Sequence, residues 1–578
     1  MRLGMACLLA SALLVAGCGG SKSGTTTPPP PPALTVSSVT PTAGATNVAV
    51  NAPVTATFSE GMSSSTLTAS TFTLSAAGTA VTGTVSYSNL VATFTPSANL
   101  AFSTQYTATI TTGVQNAAGT ALAANYTWSF TTAAANPNLE TVDFTDTLQT
   151  IRGFGGSTAW LGQMPAAVAK ALFSSTNGLG LSILRVRIDP TGTAANNWVT
   201  TNPSDGGNWL EEATNGGLAV LNNPNAIVFA TPWTPPATWK LNGTNTTVGG
   251  VDYNETFNSS CSPADYCGGY LDPNHYSDYA NYLEDFVTYF NSQNSFNLYA
   301  ISMQNEPEEN VSYESCVWTP AQMDAFIDSL TAGGATNPLT AKLIMPESDT
   351  FKTSYTNPIF TGSAVVDSAA YNNIGVIGGH IYGTTPFLYP QPSGVTQKEV
   401  WMTEFGPLSS AQLTWPQALT FAQSIHQAMT IAQYNAYVWW GIFGDSTGSC
   451  ATAAGTCGLV DNSGNPSVVG YVMGQYSKFV QPGYSHVGVT ASANESANVL
   501  VSAYTGTESG TQHYVIVAIN MGTSAVTQAF AIQNGTVTSV TPYQSTSAAG
   551  LALQTGVSVT AGQFTYTLPA QSITTFVE

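Results

Sequence analysis

The chain has 578 residues with a formal net charge of −20, from 31 acidic and 11 basic side chains; 7% of residues are charged and 43% hydrophobic. The length exceeds what one compact core holds and points to several domains. The acidic balance excludes nucleic acid, whose phosphates need clustered Lys and Arg, and sparse charge leaves a neutral polar surface suited to an uncharged polymer.

The N-terminus reads as an export signal. Arg2 precedes a short apolar run, ACLLASALLVAG, too short to span a bilayer permanently. The run ends in Val15-Ala16-Gly17-Cys18, which resembles the lipobox of bacterial lipoproteins. That resemblance implies cleavage after residue 17, acylation of Cys18 and, with Gly19 following, sorting to the outer membrane or cell surface. Residues 18–33 are a tether, flexible where Gly, Ser and Thr dominate and extended at its five prolines.

Residues 34–132 alternate apolar and polar side chains in VTATFS (54–59), TFTLSA (71–76), VATFTP (91–96), YTATIT (106–111) and YTWSFTT (126–132), with turn residues between. This pattern predicts an all-β sandwich. It resembles the bacterial Ig-like domains, notably in PTAGATNVAVNAPVTATFSEGMS. It carries no catalytic constellation, so a spacer role is expected, with sugar binding as the alternative.

From residue 139 short apolar strands alternate with helical stretches, an α/β pattern. Eight strands are expected: 149–154, 182–188, 226–231, 298–304, 342–347, 374–380, 399–404 and 436–441. Helical segments such as 277–292 and 415–433 separate them. This predicts a (β/α)8 TIM barrel over 139–482, with catalytic groups at the carboxyl ends of its strands. Strand patterns at 498–505, 513–520, 529–533 and 563–578 predict a side β-domain over 483–578, joined by a strand from about 140–148.

Of the seven cysteines, Cys7 leaves with the signal and Cys18 takes lipid. Cys261 with Cys267, and Cys450 with Cys457, are candidate loop disulfides in an export compartment. Cys316 is left over or replaces a member of the first pair. No His stands at metal-ligand spacing from these cysteines, and no phosphate-cradling loop or nucleotide fingerprint is present, so neither metal nor cofactor is expected.

Hydrolysis of a glycosidic bond with retention needs two carboxyl groups about 5–5.5 Å apart. Expected strand four ends in Gln304-Asn305-Glu306-Pro307, and expected strand seven in Thr403-Glu404-Phe405. This pair resembles the large clan of retaining glycosidases. The resemblance makes Glu306 the acid/base, Glu404 the nucleophile, Asn305 a ligand of the sugar 2-hydroxyl, and Arg185 the support that keeps the nucleophile ionised. QTIRGFGGSTAW, ILRVRID, ATPWTPPATWK, GHIYG, AYVWWG and GQYSKFVQPGY further resemble glycoside hydrolase family 30, and within it the bacterial xylanases. That implies an endo-β-1,4-xylanase acting on xylan by double displacement. Trp160, Trp233, Trp439 and Trp440 are candidate sugar platforms, and His380 and Tyr382 are expected beside the nucleophile. Glu347 reads as a supporting carboxylate.

One feature departs from the family pattern. Glucuronoxylan-specific members grip a glucuronic acid carboxylate with an Arg after strand eight, but residues 441–464 hold no Arg or Lys, and no Arg occurs beyond Arg187. Lys240 or Lys352 could supply only a point charge, so glucuronic acid side groups are not expected to be required. The alternatives are a β-1,6-glucanase or exo-enzyme of the same family, and a non-catalytic glycan-binding surface lipoprotein. The enzyme is expected to be a monomer.

Overall fold

In a computed structural model, the structure describes residues 33–48, 50, 52–98, 100–134, 139–190, 208–241, 268–309, 311, 314–334, 336–407, 413–444, 458–490 and 498–578. Cys18, Cys261, Cys267, Cys450, Cys457 and Asp445 lie outside them. The chain divides into two compact units, one ending at Ala135 and the other running from Asn136 to Glu578.

The first unit is the expected sandwich. One sheet joins Val36–Thr40, Val54–Phe58, Val91–Pro96 and Gly83–Ser88; the other joins Thr79–Ala80, Phe72–Ala76, Gln105–Ile110 and Tyr126–Thr131. Alternation decides which residues face inward. Val54, Ala56 and Phe58 are buried from one sheet, Phe72, Leu74, Ala108 and Ile110 from the other, and together they form one core.

The second unit contains a closed barrel of eight strands: Gly153–Ser157, Ile183–Ile188, Ile227–Pro232, Ala300–Ser302, Lys342–Ser348, Ile374–His380, Glu399–Phe405 and Ala436–Trp439. Neighbouring strands pair in parallel throughout. Ile183, Phe229, Ala300, Ile344, Val376, Trp401, Ala436 and Val438 fill the barrel interior, while the outward residues join a larger core with the helices. Among the described residues, helices follow every strand but the sixth, including Tyr276–Gln293 after strand three and Trp415–Thr430 after strand seven.

The first strand differs from expectation. Residues 149 and 150 end a long strand, Leu139–Thr150, of the side sheet, and the barrel strand starts at Gly153. Its glycines explain the placement. A Cβ on Gly155 would lie 2.0 Å from the Ile183 carbonyl oxygen, and one on Gly156 would lie 2.8 Å from the Ile442 side chain. Only glycine admits so close a backbone approach.

The side sheet has ten strands, and Leu139–Thr150 lies within it, antiparallel to Ser485–Thr490 and parallel to Val526–Gln533. The run 563–578 is two strands, Gln563–Leu568 and Ser572–Val577. Pro569, which has no N–H to donate, stands at the break. Val142, Phe530, Phe564 and Phe576 pack the sheet's core.

Candidate active site

Two glutamates from opposite walls of the barrel meet at its carboxyl end. Strand four is short, and beyond it the Asn305 N–H donates to the Pro232 carbonyl at 2.9 Å while the Glu306 N–H donates to the Glu347 carbonyl at 3.0 Å. These bonds carry the chain across the mouth of strands three and five. Glu306 adopts φ 42°, a left-handed conformation that costs a non-glycine residue about 1–3 kcal/mol and persists only where the surroundings impose it. Glu404 lies on strand seven, and both carboxylates are buried, at 7% and 6% exposure.

Arg185 organises the centre. It is fully buried on strand two, pairs with Glu404, and lies 3.4 Å from Glu347. It also donates from Nη2 to Asn305 Oδ1 at 2.6 Å and from Nε to Thr231 Oγ1 at 3.2 Å. The planar guanidinium thus serves several partners at once from separate nitrogens in a fixed fork, a geometry that the single nitrogen of an ammonium does not reproduce. Thr231 in turn donates to Glu347 at 2.9 Å. Sequence reasoning missed Thr231, whose only signal is its place at the end of strand three. Glu347 takes the expected supporting position.

His380 and Tyr382 complete the set. His380 Nδ1 lies 2.9 Å from Glu306 Oε1, its Nε2 lies 3.8 Å from Glu404 Oε2, and the Tyr382 hydroxyl donates to Glu404 Oε1 at 2.9 Å. Burial pushes Glu404 above the usual carboxylate value and Glu306 adds to this, while His380 and Arg185 pull the other way. Burial alone would push His380 down, but Glu404 and Glu306 outweigh it and hold the imidazole above its ordinary value. Burial and the nearby Glu404 keep the Tyr382 hydroxyl protonated far above the usual range, so it remains a donor.

One donor atom each from Glu306, His380 and Glu404 lie within 4.8 Å of one another. Such a set could accept a divalent ion. Here the buried Arg185 already places a positive charge on Glu404, which lessens the need for one.

Trp160, Trp233 and Trp440 form a ring cluster beside these groups, with Trp160 and Trp233 centroids 4.6 Å apart. Arg185 lies 4.6 Å over Trp233 and Arg187 5.2 Å over Trp160. Trp160 is half-buried and the other two are almost fully covered. Trp439 does not join them. It points out of the barrel and packs against Phe421 of the helix after strand seven at 4.9 Å. Alternation along strand eight sends Ala436 and Val438 inward and Tyr437 and Trp439 outward, so Trp439 is part of barrel–helix packing rather than a sugar platform.

Neither lysine offers a free grip for an anion. Lys240 is buried and donates to Thr234 Oγ1 at 2.6 Å and to the Ser315 carbonyl at 2.8 Å. Lys352 pairs with Glu308 at 3.2 Å and Asp349 at 3.0 Å. Asp461 accepts from the Ser463 and Asn465 N–H groups within its own turn. Cys316 is buried and forms no disulfide among the described residues.

A closed (β/α)8 barrel with two buried glutamates across its mouth defines a glycosidase. Comparison with known proteins gives the particular family. The chain is 36% identical over 446 residues to a glucuronoxylanase of Bacillus subtilis, covering 76% of this chain and 91% of that relative. It is similar to the glycoside hydrolase family 30 subfamily 8 xylanase of Clostridium acetobutylicum, with 36% identity, a TM-score of 0.62, and coverage of 76% of this chain and 99% of that one. It is likewise similar to a family 30 endoxylanase of Clostridium papyrosolvens, with 35% identity, a TM-score of 0.61, and the same coverage of each chain. The chain belongs to glycoside hydrolase family 30. Residues 30–132 match the bacterial Ig-like domain family.

Proposed function

We propose that the protein is an endo-β-1,4-xylanase that works with retention and does not require glucuronic acid side groups. The observation that carries the reading is the approach of the Glu306 and Glu404 oxygens to within 4.8 Å. Retaining enzymes hold their two carboxyl groups about 5–5.5 Å apart, whereas inverting enzymes leave about 6.5–9.5 Å for a water. Glu404, held by Arg185 and Tyr382, attacks the anomeric carbon as Glu306 protonates the departing oxygen. Glu306 then takes a proton from the water that releases the glycosyl-enzyme. The Arg185 cation and the Tyr382 hydroxyl both bond to Glu404, which supports it as the charged, attacking carboxylate.

Xylan as the substrate is supported by the xylan-active relatives. Independence from glucuronic acid is supported by the loop after strand eight, which lacks Arg and Lys, and by the engagement of Lys240 and Lys352 elsewhere. The test is product analysis on arabinoxylan, glucuronoxylan, β-1,6-glucan and β-1,4-glucan, with NMR of the first-formed anomer. Short β-configured xylo-oligosaccharides from both xylans are expected. Strict dependence on the acid substituent overturns the independence, an α-anomer overturns retention, and release from β-1,6-glucan alone overturns the substrate. Anchoring through Cys18 is part of the same proposal: Cys18→Ala is expected to move the protein from the membrane fraction to the soluble one.

A further inference from the structure

Two residues beyond Glu306, a third acidic side chain turns back into the protein. The Glu308 side chain is 9% exposed. Its Oε1 accepts from the Asp349 N–H at 3.0 Å and lies 3.2 Å from Lys352 Nζ. Its Oε2 is buried without a hydrogen-bond partner. Burial and the neighbouring Asp349 push Glu308 up to about 8, and charged or neutral the carboxyl can accept through Oε1.

The segment it reaches is a fixed reference. The Asp349 carbonyl accepts from the Tyr382 N–H at 3.0 Å, and Ser348 Oγ accepts from the Lys352 N–H at 2.7 Å. Glu347 of the same segment is tied to Arg185 and Thr231.

Glu306 needs such a reference. Its φ of 42° is sustained only by its surroundings; Pro307 has no N–H to give, and the backbone ties of the turn are the Glu309 N–H on the Glu306 carbonyl at 2.9 Å and the Trp318 N–H on the Pro307 carbonyl at 2.8 Å. The Glu306 N–H bond to the Glu347 carbonyl holds the turn on one side. The Glu308 side chain adds the tie from this turn to the Asp349 backbone.

We propose that Glu308 is a positioning residue that fixes the aim of Glu306 by clamping the Glu306-Pro307-Glu308 turn to the backbone of Asp349. This rests on the assignment of Glu306 as the acid/base. Glu308 itself touches no reacting atom in this arrangement. A displacement of the acid by about 1 Å suffices to lower the rate roughly a hundredfold.

The test is steady-state kinetics of the full chain on glucuronoxylan, or on whichever polymer of the panel the wild type cleaves fastest. Glu308→Leu and Glu308→Asn both withdraw the acceptor from the Asp349 N–H, and Glu308→Gln keeps it in uncharged form. Both withdrawing variants are expected to lose roughly 10–100-fold in kcat with KM within about twofold. Glu308→Gln is expected to stay within about threefold of wild type. In a Glu306→Gln background, Glu308→Leu and Glu308→Asn should cost less than about threefold more, because the group they aim is gone. Circular-dichroism melting identifies a withdrawing variant that is unfolded, and the other then carries the comparison. Wild-type kcat in both withdrawing variants, equal impairment in Glu308→Gln, or the same loss in both backgrounds overturns the proposal. Full activity of Glu306→Gln alone overturns the acid/base assignment instead.

Discussion

Replacing Arg185 tests the centre of the site most directly, because two substitutions remove different parts of its role. Arg185→Lys keeps a buried positive charge near Glu404 and Glu347 but replaces a three-way fork with one ammonium. Asn305, at 2.6 Å, and Glu404 are bonded by two different guanidinium nitrogens, a spacing that one nitrogen does not match, so the bond to Asn305 is expected to be lost. A hydrogen bond to a charged group contributes about 1.5–3 kcal/mol, equivalent to roughly 10–150-fold in rate. Because Asn305 and Glu404 both face the reacting sugar in the proposed mechanism, that loss is expected in kcat/KM, with little change in melting temperature. Arg185→Met removes the charge as well. Glu404 and Glu347, at 6% and 0% exposure, then remain buried without their common cation. Breaking a buried pair in this way costs about 3–5 kcal/mol, a large part of ordinary domain stability. Arg185 pulls Glu404 down, so its removal lets the carboxyl ionise only at higher pH. The acid limb of kcat/KM should move up in Arg185→Met and little in Arg185→Lys. Initial rates across pH, paired with thermal melts, measure both effects. Wild-type kcat/KM and an unmoved acid limb in folded Arg185→Met would refute the reasoning.

Trp160→Ala should raise KM about 2–10-fold through lost aromatic contact with sugar, whereas Trp439→Ala should lower stability by roughly 3–5 kcal/mol; kinetics and melts on the two variants separate the roles, and the reverse pattern contradicts the assignment. His486 lies buried on the side-sheet strand Ser485–Thr490, with neither ring nitrogen hydrogen-bonded and burial pushing it down to about 4. The unfolded chain therefore binds the proton more readily between its ordinary value near 6.5 and about 4. The associated stability is present above that window and lost as pH falls through it, by at most about 3 kcal/mol. Melting temperature should fall across that range and fall less in His486→Phe; equal pH dependence in both proteins would count against it.

Much of the architecture is legible in the sequence because periodicity follows from local geometry. Alternation in VTATF and FTLSA produces the sandwich faces, and apolar runs separated by amphipathic helices produce the parallel barrel. Glu306 and Glu404 are found because Asn-Glu-Pro and Thr-Glu fall at the ends of counted strands. The first barrel strand is misplaced because its signal is glycine rather than β-branched residues, and glycine records how closely another chain passes.

The sequence by itself determined the fold class, the placement of the two glutamates at strand ends, and the lack of Arg after strand eight, and its resemblance to a known clan pointed to Arg185 as a partner of Glu404. These depend on residue type and order along the chain. Only the tertiary structure decided that Trp439 faces a helix while Trp160 joins the ring cluster, since a one-residue step reverses the side of a strand. Only it showed that Lys240 and Lys352 are engaged, that Thr231 and Glu347 share Arg185 with Glu404, and that Glu308 reaches Asp349. The ties from Arg185 to Glu404 and from Glu308 to Asp349 join residues 219 and 41 positions apart, a closeness that strand register around a closed barrel creates and local sequence does not encode.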